Sequence, residues 1–146
     1  YDSGFDNNNM DYMASASLSY LLNNINLFGS YSYTMINDDD FSYINTTVIP
    51  DETIEISYQD TNTFNAGIGF YPTARIYTSL AYNHSDSIYD KIITDGIADT
   101  IEPLETASAY LFYTINKERF LTFSYAYGLS DSASDHFAAV RLGFYF

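Results

Sequence analysis

The last eleven residues of the chain, 136–146, alternate strictly between two kinds of side chain. The apolar series is Ala138, Val140, Leu142, Phe144 and Phe146. The residues between them include alanine, glycine and one charge, Arg141. A period of two is the side-chain period of a β-strand, in which successive residues point to opposite faces of a sheet. This stretch therefore predicts a strand with one apolar face and one mixed face.

Six earlier stretches repeat this alternation, so we predict an all-β, antiparallel chain. They are 10–22, 26–37, 53–71, 75–85, 104–114 and 119–130. In each stretch one parity is mainly apolar, and the other is rich in Ser, Thr, Gly and Asn. Asp60 and Asn62 interrupt the apolar parity of 53–71, so we expect the residues before them to stand clear of any membrane. No run of about 18 apolar residues exists, which excludes a transmembrane helix.

The connections between these stretches alternate in length. Short turns are predicted at 23–24, 72–74 and 115–118, and long acidic loops at 38–52 and 86–103. Transmembrane barrels that run up and down have short periplasmic turns and longer extracellular loops. Tyrosine and phenylalanine near both ends of the apolar faces fit two aromatic girdles. We therefore predict one antiparallel, up-and-down transmembrane β-barrel domain over 1–146; the alternative is a soluble β-sandwich.

The strand count is odd, whereas bacterial single-chain barrels have an even number of strands. We therefore expect seven to eight strands here, either with one strand unrecognised or as the C-terminal part of a larger barrel.

Charge and composition exclude several functions. The 146 residues carry a formal net charge of -14, which argues against nucleic acid as a partner. Cysteine is absent, so disulfides and thiolate metal sites are excluded.

Residues suited to catalysis or metal binding are few. His84 and His136 are the only histidines, and the neighbours of His84 along one strand end cannot converge as a catalytic triad does. The aspartate groups lack the spacing of a calcium-binding loop. We therefore predict no enzyme, no metal site and no cofactor, apart from loosely bound Ca²⁺ or Mg²⁺ at the acidic loops.

Four charged residues are candidates for the lumen and its selectivity: Arg141, Arg75, Glu105 and Asp11. Arg141 is predicted to point into the lumen near the short-turn end, where a charge would select solutes by sign. The alternative is that Arg141 forms a structural ion pair with Glu105 or Asp11.

A C-terminal strand that ends on phenylalanine resembles the final strand of bacterial outer-membrane barrels. The resemblance implies that Val140, Leu142, Phe144 and Phe146 form the sorting signal read by the barrel assembly machinery. Residues 128–132 with Asp135 resemble the final hairpin of the outer-membrane proteins of the phenol-degradation meta-pathway and related transporters. Residues 70–75 resemble a strand-turn-strand of such barrels. The resemblance implies a channel or uptake barrel in the outer membrane of a Gram-negative bacterium, surrounded by lipid and lipopolysaccharide.

The function expected from these features is a porin-like transport protein that passes small solutes through a Ser- and Thr-lined lumen. The alternative is a scaffold barrel in a cell-envelope assembly, with its interior or its seam packed against a partner polypeptide. Small residues on the lumen face permit that close approach. A soluble all-β surface protein is the third hypothesis.

Overall fold

The computed structural model describes residues 10–37, 41–47 and 52–145, and these residues form eleven β-strands. In chain order the strands are β1 (Tyr12–Leu22), β2 (Ile25–Met35), β3 (Phe41–Asn45), β4 (Glu52–Tyr58), β5 (Thr61–Thr73), β6 (Ile76–Ser85), β7 (Tyr89–Thr94), β8 (Ile97–Thr100), β9 (Leu104–Thr114), β10 (Arg119–Gly128) and β11 (His136–Phe144). Within these residues no helix is long and apolar enough to cross a membrane. The all-β, antiparallel class predicted from the alternation is confirmed.

Seven strands form one large antiparallel sheet in the order β1-β2-β5-β6-β9-β10-β11. Its register aligns the apolar parity of every strand with that of its neighbours. One row across the sheet, for example, joins Tyr20, Leu27, Ile68, Leu80, Ala109, Tyr125 and Ala138. The seven apolar series predicted separately from the sequence therefore lie on a single continuous face, which we call the apolar face. The opposite side is the polar face.

The apolar face is open rather than packed. Leu18 is 76% exposed, Val140 70% and Leu80 62%, although all three lie within long strands. Among the described residues, Ala133 is the only hydrophobic residue that is buried. The large sheet thus has no core of its own on this side.

The remaining strands form a second sheet, in the order β3-β4-β7-β8, which we call the extension. Its central pair, β4 and β7, continues the β5-β6 pair of the large sheet. Gln59 N donates to Ile88 O (3.0 Å) and Asp86 N donates to Asn62 O (2.9 Å) across the junction. The extension is therefore a prolonged hairpin that leaves the large sheet at the end with the long connections.

The extension corrects two expectations. The segments 38–52 and 86–103 were predicted as loops, but 41–45, 89–94 and 97–100 are strands, and β4 begins at residue 52. The stretch 53–71 was predicted as one strand, but it divides at Gln59 and Asp60 into β4 and β5, which belong to different sheets. Residues 38–40 and 48–51 of the first segment lie outside the described residues. These strands were not predicted because they have only four to six residues, and because the central pair of the extension, β4 with β7, joins residues more than thirty positions apart.

The short connections lie at the opposite end of the large sheet, as predicted. Asn23 has a φ of 54°, the left-handed conformation that asparagine tolerates in a tight turn. The second turn lies at residues 74–75, because β5 continues through Pro72 with an irregularity in its pairing between Phe70 and Thr73. Proline is tolerated there because the ladder is already interrupted.

The large sheet is open at both sides. Within the described part of the chain, β1 pairs only with β2, and β11 pairs only with β10. Both edge strands run from the extension end towards the short-turn end. A direct β1-β11 pair would therefore be parallel, in contrast to every other pair in the sheet.

Candidate functional site

The polar face is divided into two zones. Near the extension, amides and hydroxyls bond across neighbouring strands: Asn83 Nδ2 donates to Thr106 Oγ1 and to Ser108 Oγ (both 3.1 Å), and Asn65 Nδ2 donates to Asn83 Oδ1 (2.5 Å). This zone matches the hydroxyl-lined surface predicted from the sequence.

Near the short turns, aromatic rings cover the same face. Ring contacts run through Tyr71 and Tyr77 (4.7 Å between centroids), Tyr77 and Tyr110 (6.4 Å), and Phe112 and Phe120 (5.3 Å). The sequence analysis treated this face as small and polar and did not recognise the aromatic zone. The sequence does contain a signal for the aromatic zone. Large aromatic residues occupy polar-face positions in some strands, and neighbouring strands carry glycine at positions on the same face.

Glycines make room for these rings. A Cβ atom at Gly69 would lie 2.5 Å from Tyr77 Cε2, and one at Gly67 would lie 2.6 Å from the Leu80 carbonyl oxygen and overlap the Phe28 ring. The rings thus lie across neighbouring strands, where any larger residue would displace them. This close approach of ring to backbone is a usual role of glycine within strands.

Arg141 lies on the polar face of the edge strand β11, as predicted. It is directly opposite Thr122 of β10. Within the strands of the large sheet, no other Asp, Glu, Lys or Arg has the polar-face parity. Arg141 therefore sets the local charge of this surface.

The other three lumen candidates lie elsewhere. Glu105 is on the apolar face, because it shares the parity of Ala107 and pairs in register with His84. Arg75 occupies the β5-β6 turn, and Asp11 precedes β1, where it accepts a hydrogen bond from the backbone N–H of Asn37 (3.1 Å). None of them is brought to Arg141. The alternative that Arg141 forms an ion pair with Glu105 or Asp11 is wrong, since the ion pairs of the described residues involve only His84.

A polar cluster lies at the extension end of the apolar face. His84 Nε2 is 2.9 Å from Asp86 Oδ1, and His84 Nδ1 is 3.2 Å from Glu105 Oε1. Tyr82 donates its hydroxyl to the same Glu105 oxygen (2.8 Å), and the imidazole stacks on Phe64 (4.8 Å). The His84 side chain is only 16% exposed. Both ring nitrogens are engaged by carboxylates, which suits the imidazolium form with its two N–H donors.

This cluster extends into the junction with the extension. Asn62 donates from its backbone N–H and from Nδ2 to Asp86 Oδ2 (both 2.9 Å), and Tyr31 donates its hydroxyl to Asn62 Oδ1 (2.6 Å). Tyr33 donates to Asp60 in the same way. We call the residues of the cluster and of this junction the rim. They lie where the apolar face ends and the extension begins, and they are Tyr31, Tyr33, Asp60, Asn62, Tyr82, His84, Asp86 and Glu105.

The two junction aspartates are stabilised in their charged form. Partial burial tends to raise the pKa of the Asp86 carboxyl, but the hydrogen bonds from Asn62 and His84 outweigh it and lower that pKa. Hydrogen bonds from the Tyr33 hydroxyl and the Ile36 backbone N–H lower the pKa of Asp60. The rim therefore holds negative charge at neutral pH. Within the part of the chain described, no group of three His, Asp or Glu side chains is placed to hold a metal ion.

The C-terminal series predicted as the assembly signal lies on the apolar face at the sheet edge. Val140 is 70% exposed, Leu142 53% and Phe144 51%, and the Arg119 guanidinium carbon lies 5.8 Å from the Phe144 ring centroid. Phe146 lies outside the described residues. Its role and that of the series remain a prediction.

Comparison with known proteins leaves the family open. No protein-family model matches the chain, and no curated protein is significantly similar to it. The resemblance to outer-membrane transport proteins therefore stays a prediction, and the function is argued below from geometry.

Proposed function

We propose that the large sheet is the wall of a transmembrane β-barrel in the outer membrane of a Gram-negative bacterium, and that the barrel passes small solutes along its polar face. The observation that carries this proposal is the continuous apolar face, which extends over seven strands and remains open along its whole width.

Lipid is the partner that suits this face best. Soluble monomers rarely expose an apolar patch larger than a few hundred Å². Here, large apolar side chains are exposed on every strand of the large sheet, with Leu18, Ile68, Leu80 and Leu142 among them. Hydrocarbon removes these side chains from water without requiring complementary packing from a second protein layer.

Strand length supports the same proposal. The seven strands have 9 to 13 residues. A transmembrane strand needs about 9–11 residues when tilted by about 45°. The strands of the extension have only 4 to 7 residues and fall below this requirement.

The rim supports an interfacial position for the extension end. Tyr31, Tyr33 and Tyr82 direct their hydroxyls to polar partners there, while the apolar residues begin one or two rows further on. Tyrosine favours the boundary between hydrocarbon and water because its ring is apolar and its hydroxyl is polar. We place the extension outside the cell and the short turns in the periplasm, which is the usual orientation of such barrels.

Closure of the barrel requires pairing beyond the described strands. Because β1 and β11 run in the same direction, an odd number of additional strands between them would keep every pair antiparallel. Those strands belong either to further residues of the same polypeptide or to a partner chain.

Reconstitution of the full chain into phospholipid vesicles tests this proposal. We expect the protein to require detergent for extraction and to make vesicles permeable to small sugars. A protein that stays monodisperse in buffer without detergent would overturn the membrane assignment and favour the soluble surface protein.

The open edges support a second candidate, the scaffold barrel in an envelope assembly. Unpaired strand edges present N–H and C=O groups that invite a partner strand. Stoichiometric co-purification of a second polypeptide, together with membrane insertion and no permeability, would favour the scaffold over the channel.

A further inference from the structure

Arg141 is a cation that has no carboxylate partner among the described residues. The ion pairs among the described residues all involve His84, and Glu105 lies on the other face of the sheet. A guanidinium has five N–H donors in a planar fork that matches a carboxylate or a phosphate. Arg141 therefore has the capacity to bind an anion that comes from solution.

The surroundings of Arg141 form a small pocket of about 360 Å³ on the polar face. Its lining residues are Tyr110, Phe120, Thr122, Ser124, Ala139 and Arg141. Thr122 lies directly opposite Arg141 in the β10-β11 register, and Ser124 lies opposite both Ala139 and Tyr110. Thr122, Ser124 and Tyr110 thus contribute three hydroxyls to the pocket that Arg141 lines, and each of them can donate a hydrogen bond to an anion.

One wall of the pocket is apolar and held in place. The Phe120 ring stacks on Phe112 (5.3 Å) and contacts Tyr145 (5.0 Å). It lies across Gly143, where a Cβ atom would overlap the ring. The absence of a side chain at Gly143 therefore lets Phe120 lie on the strand that carries Arg141, two residues away.

We propose that this pocket is a binding subsite for small monocarboxylates with a short hydrocarbon tail. Arg141 binds the carboxylate, the hydroxyls of Thr122 and Ser124 complete its hydrogen bonds, and the tail packs on Phe120. The apolar wall disfavours phosphate, which would leave oxygen atoms without donors on that side. The proposal deepens the proposed function, since it names the class of solute that the polar face would recognise.

The test is binding of butyrate to the detergent-solubilised full chain, measured by titration calorimetry. We expect saturable binding that Arg141→Ala weakens by about tenfold or more, as loss of a charge-assisted hydrogen bond does. Arg141→Lys should bind with intermediate affinity, because it keeps the charge but loses the planar fork. Arg75→Ala removes the same charge at the β5-β6 turn and should leave the affinity unchanged. Equal affinities for Arg141→Ala and wild type would overturn the subsite.

Two further measurements fix the ligand class and separate this subsite from the channel. Phe120→Leu should weaken butyrate binding more than acetate binding, and inorganic phosphate should bind more weakly than butyrate; phosphate binding as tight as that of butyrate would overturn the carboxylate assignment. Vesicle permeability is then measured on the same preparation. Binding without permeability would reject the channel and keep the subsite, whereas permeability without binding would reject the subsite alone.

Discussion

The large sheet and the extension are built from the same β-structure but suit different surroundings. The seven strands of the large sheet contain only three residues among Asp, Glu, Lys and Arg, which are Glu105, Arg119 and Arg141. The four short strands of the extension contain five, which are Glu52, Glu55, Asp90, Lys91 and Asp99. Charged residues are thus sparse in the long strands and frequent in the short ones.

The change in charge content marks the boundary of the proposed membrane. The β5-β6 hairpin is joined to the β4-β7 pair by backbone hydrogen bonds across the junction, although the strands themselves are interrupted at residues 59–60 and 86–88. The change is carried by the side chains of the rim, where Asn62, His84 and Asp86 replace the apolar series. Four substitutions, each with a matched control, test the differences between these regions.

The largest effect is expected from a charge at the centre of the apolar face. Leu80→Arg should destabilise the folded protein in lipid by about 2–4 kcal/mol, the cost of arginine near the bilayer midplane. Leu80 is 62% exposed, so no packed core is disturbed. The measurement is equilibrium unfolding in lipid vesicles.

The matched control for Leu80 is Ile97→Arg in the extension, where the residue is 72% exposed. A surface substitution in water should change stability by less than about 0.5 kcal/mol. Similar costs at both positions would contradict the assignment of different environments to the two sheets.

A smaller loss is expected from a side chain at a glycine beneath an aromatic ring. Gly67→Ala would place a Cβ against the Phe28 ring and the Leu80 carbonyl oxygen, and overpacking of this kind costs about 1–3 kcal/mol. Unfolding in detergent measures it. Gly96→Asn in the extension is the control, because nothing lies within 4 Å of its Cβ position and asparagine tolerates the φ of 79°. A larger loss at Gly96 than at Gly67 would argue against the ring-over-glycine arrangement.

Loss of a rim hydroxyl should destabilise the protein less than Gly67→Ala does, because a hydrogen bond that is only partly buried is readily replaced by one to water. Tyr82→Phe removes the hydrogen bond to Glu105, while His84 still contacts that carboxylate. Tyr113→Phe removes a hydroxyl at the short-turn end of the same face and serves as the comparison. Denaturant unfolding measures the loss of stability in both variants. A larger loss for Tyr113→Phe than for Tyr82→Phe would contradict a stabilising role of the rim.

The smallest effect is a local dependence on acid at the junction. Because the folded pKa of Asp86 is lowered, its contribution is present above the pKa of the unfolded chain and is lost as the pH falls through the folded value. Amide exchange of Asn62 should therefore accelerate below about pH 4, relative to amides in the middle of the large sheet.

Asp86→Asn should accelerate the exchange of Asn62 already at neutral pH and flatten its dependence on acid. Asp90→Asn, an exposed position in β7, is the control and should leave that exchange unchanged. An acid response in Asp86→Asn as steep as that of the wild type would assign the response to another group, such as Asp60.

Much of the large sheet could be predicted because its pattern is local. Strict alternation in β11 and β6 is visible within ten residues, and the Asn23 turn fixes the β1-β2 register. The division of the stretch 53–71 was foreshadowed by Asp60 and Asn62, but the strand pairing on either side of them was not. Strands such as β3 and β8, with five and four residues, are too short to show a period, and they form because they pair with neighbouring strands.

The residues of the candidate site also differ in how far the sequence predicts their positions. The face of Arg141 followed from its parity in the sequence, and the face of Glu105 would have followed from its parity with Ala107. The association of His84 with Glu105 depended on the register between β6 and β9, which no local pattern contains, whereas Asp86 is only two residues from His84 in the sequence.

The strands of the large sheet and their two faces follow from the sequence alone, because side-chain direction in a strand has a period of two. The scarcity of charged residues in these strands is equally visible in the sequence. Three features are visible only in the folded chain: the pairing of the acidic segments into an extension, the aromatic rings over glycines on the polar face, and the pocket that Arg141 shares with three hydroxyls. Each of these depends on strand register, which is set by hydrogen bonds between residues far apart in the chain.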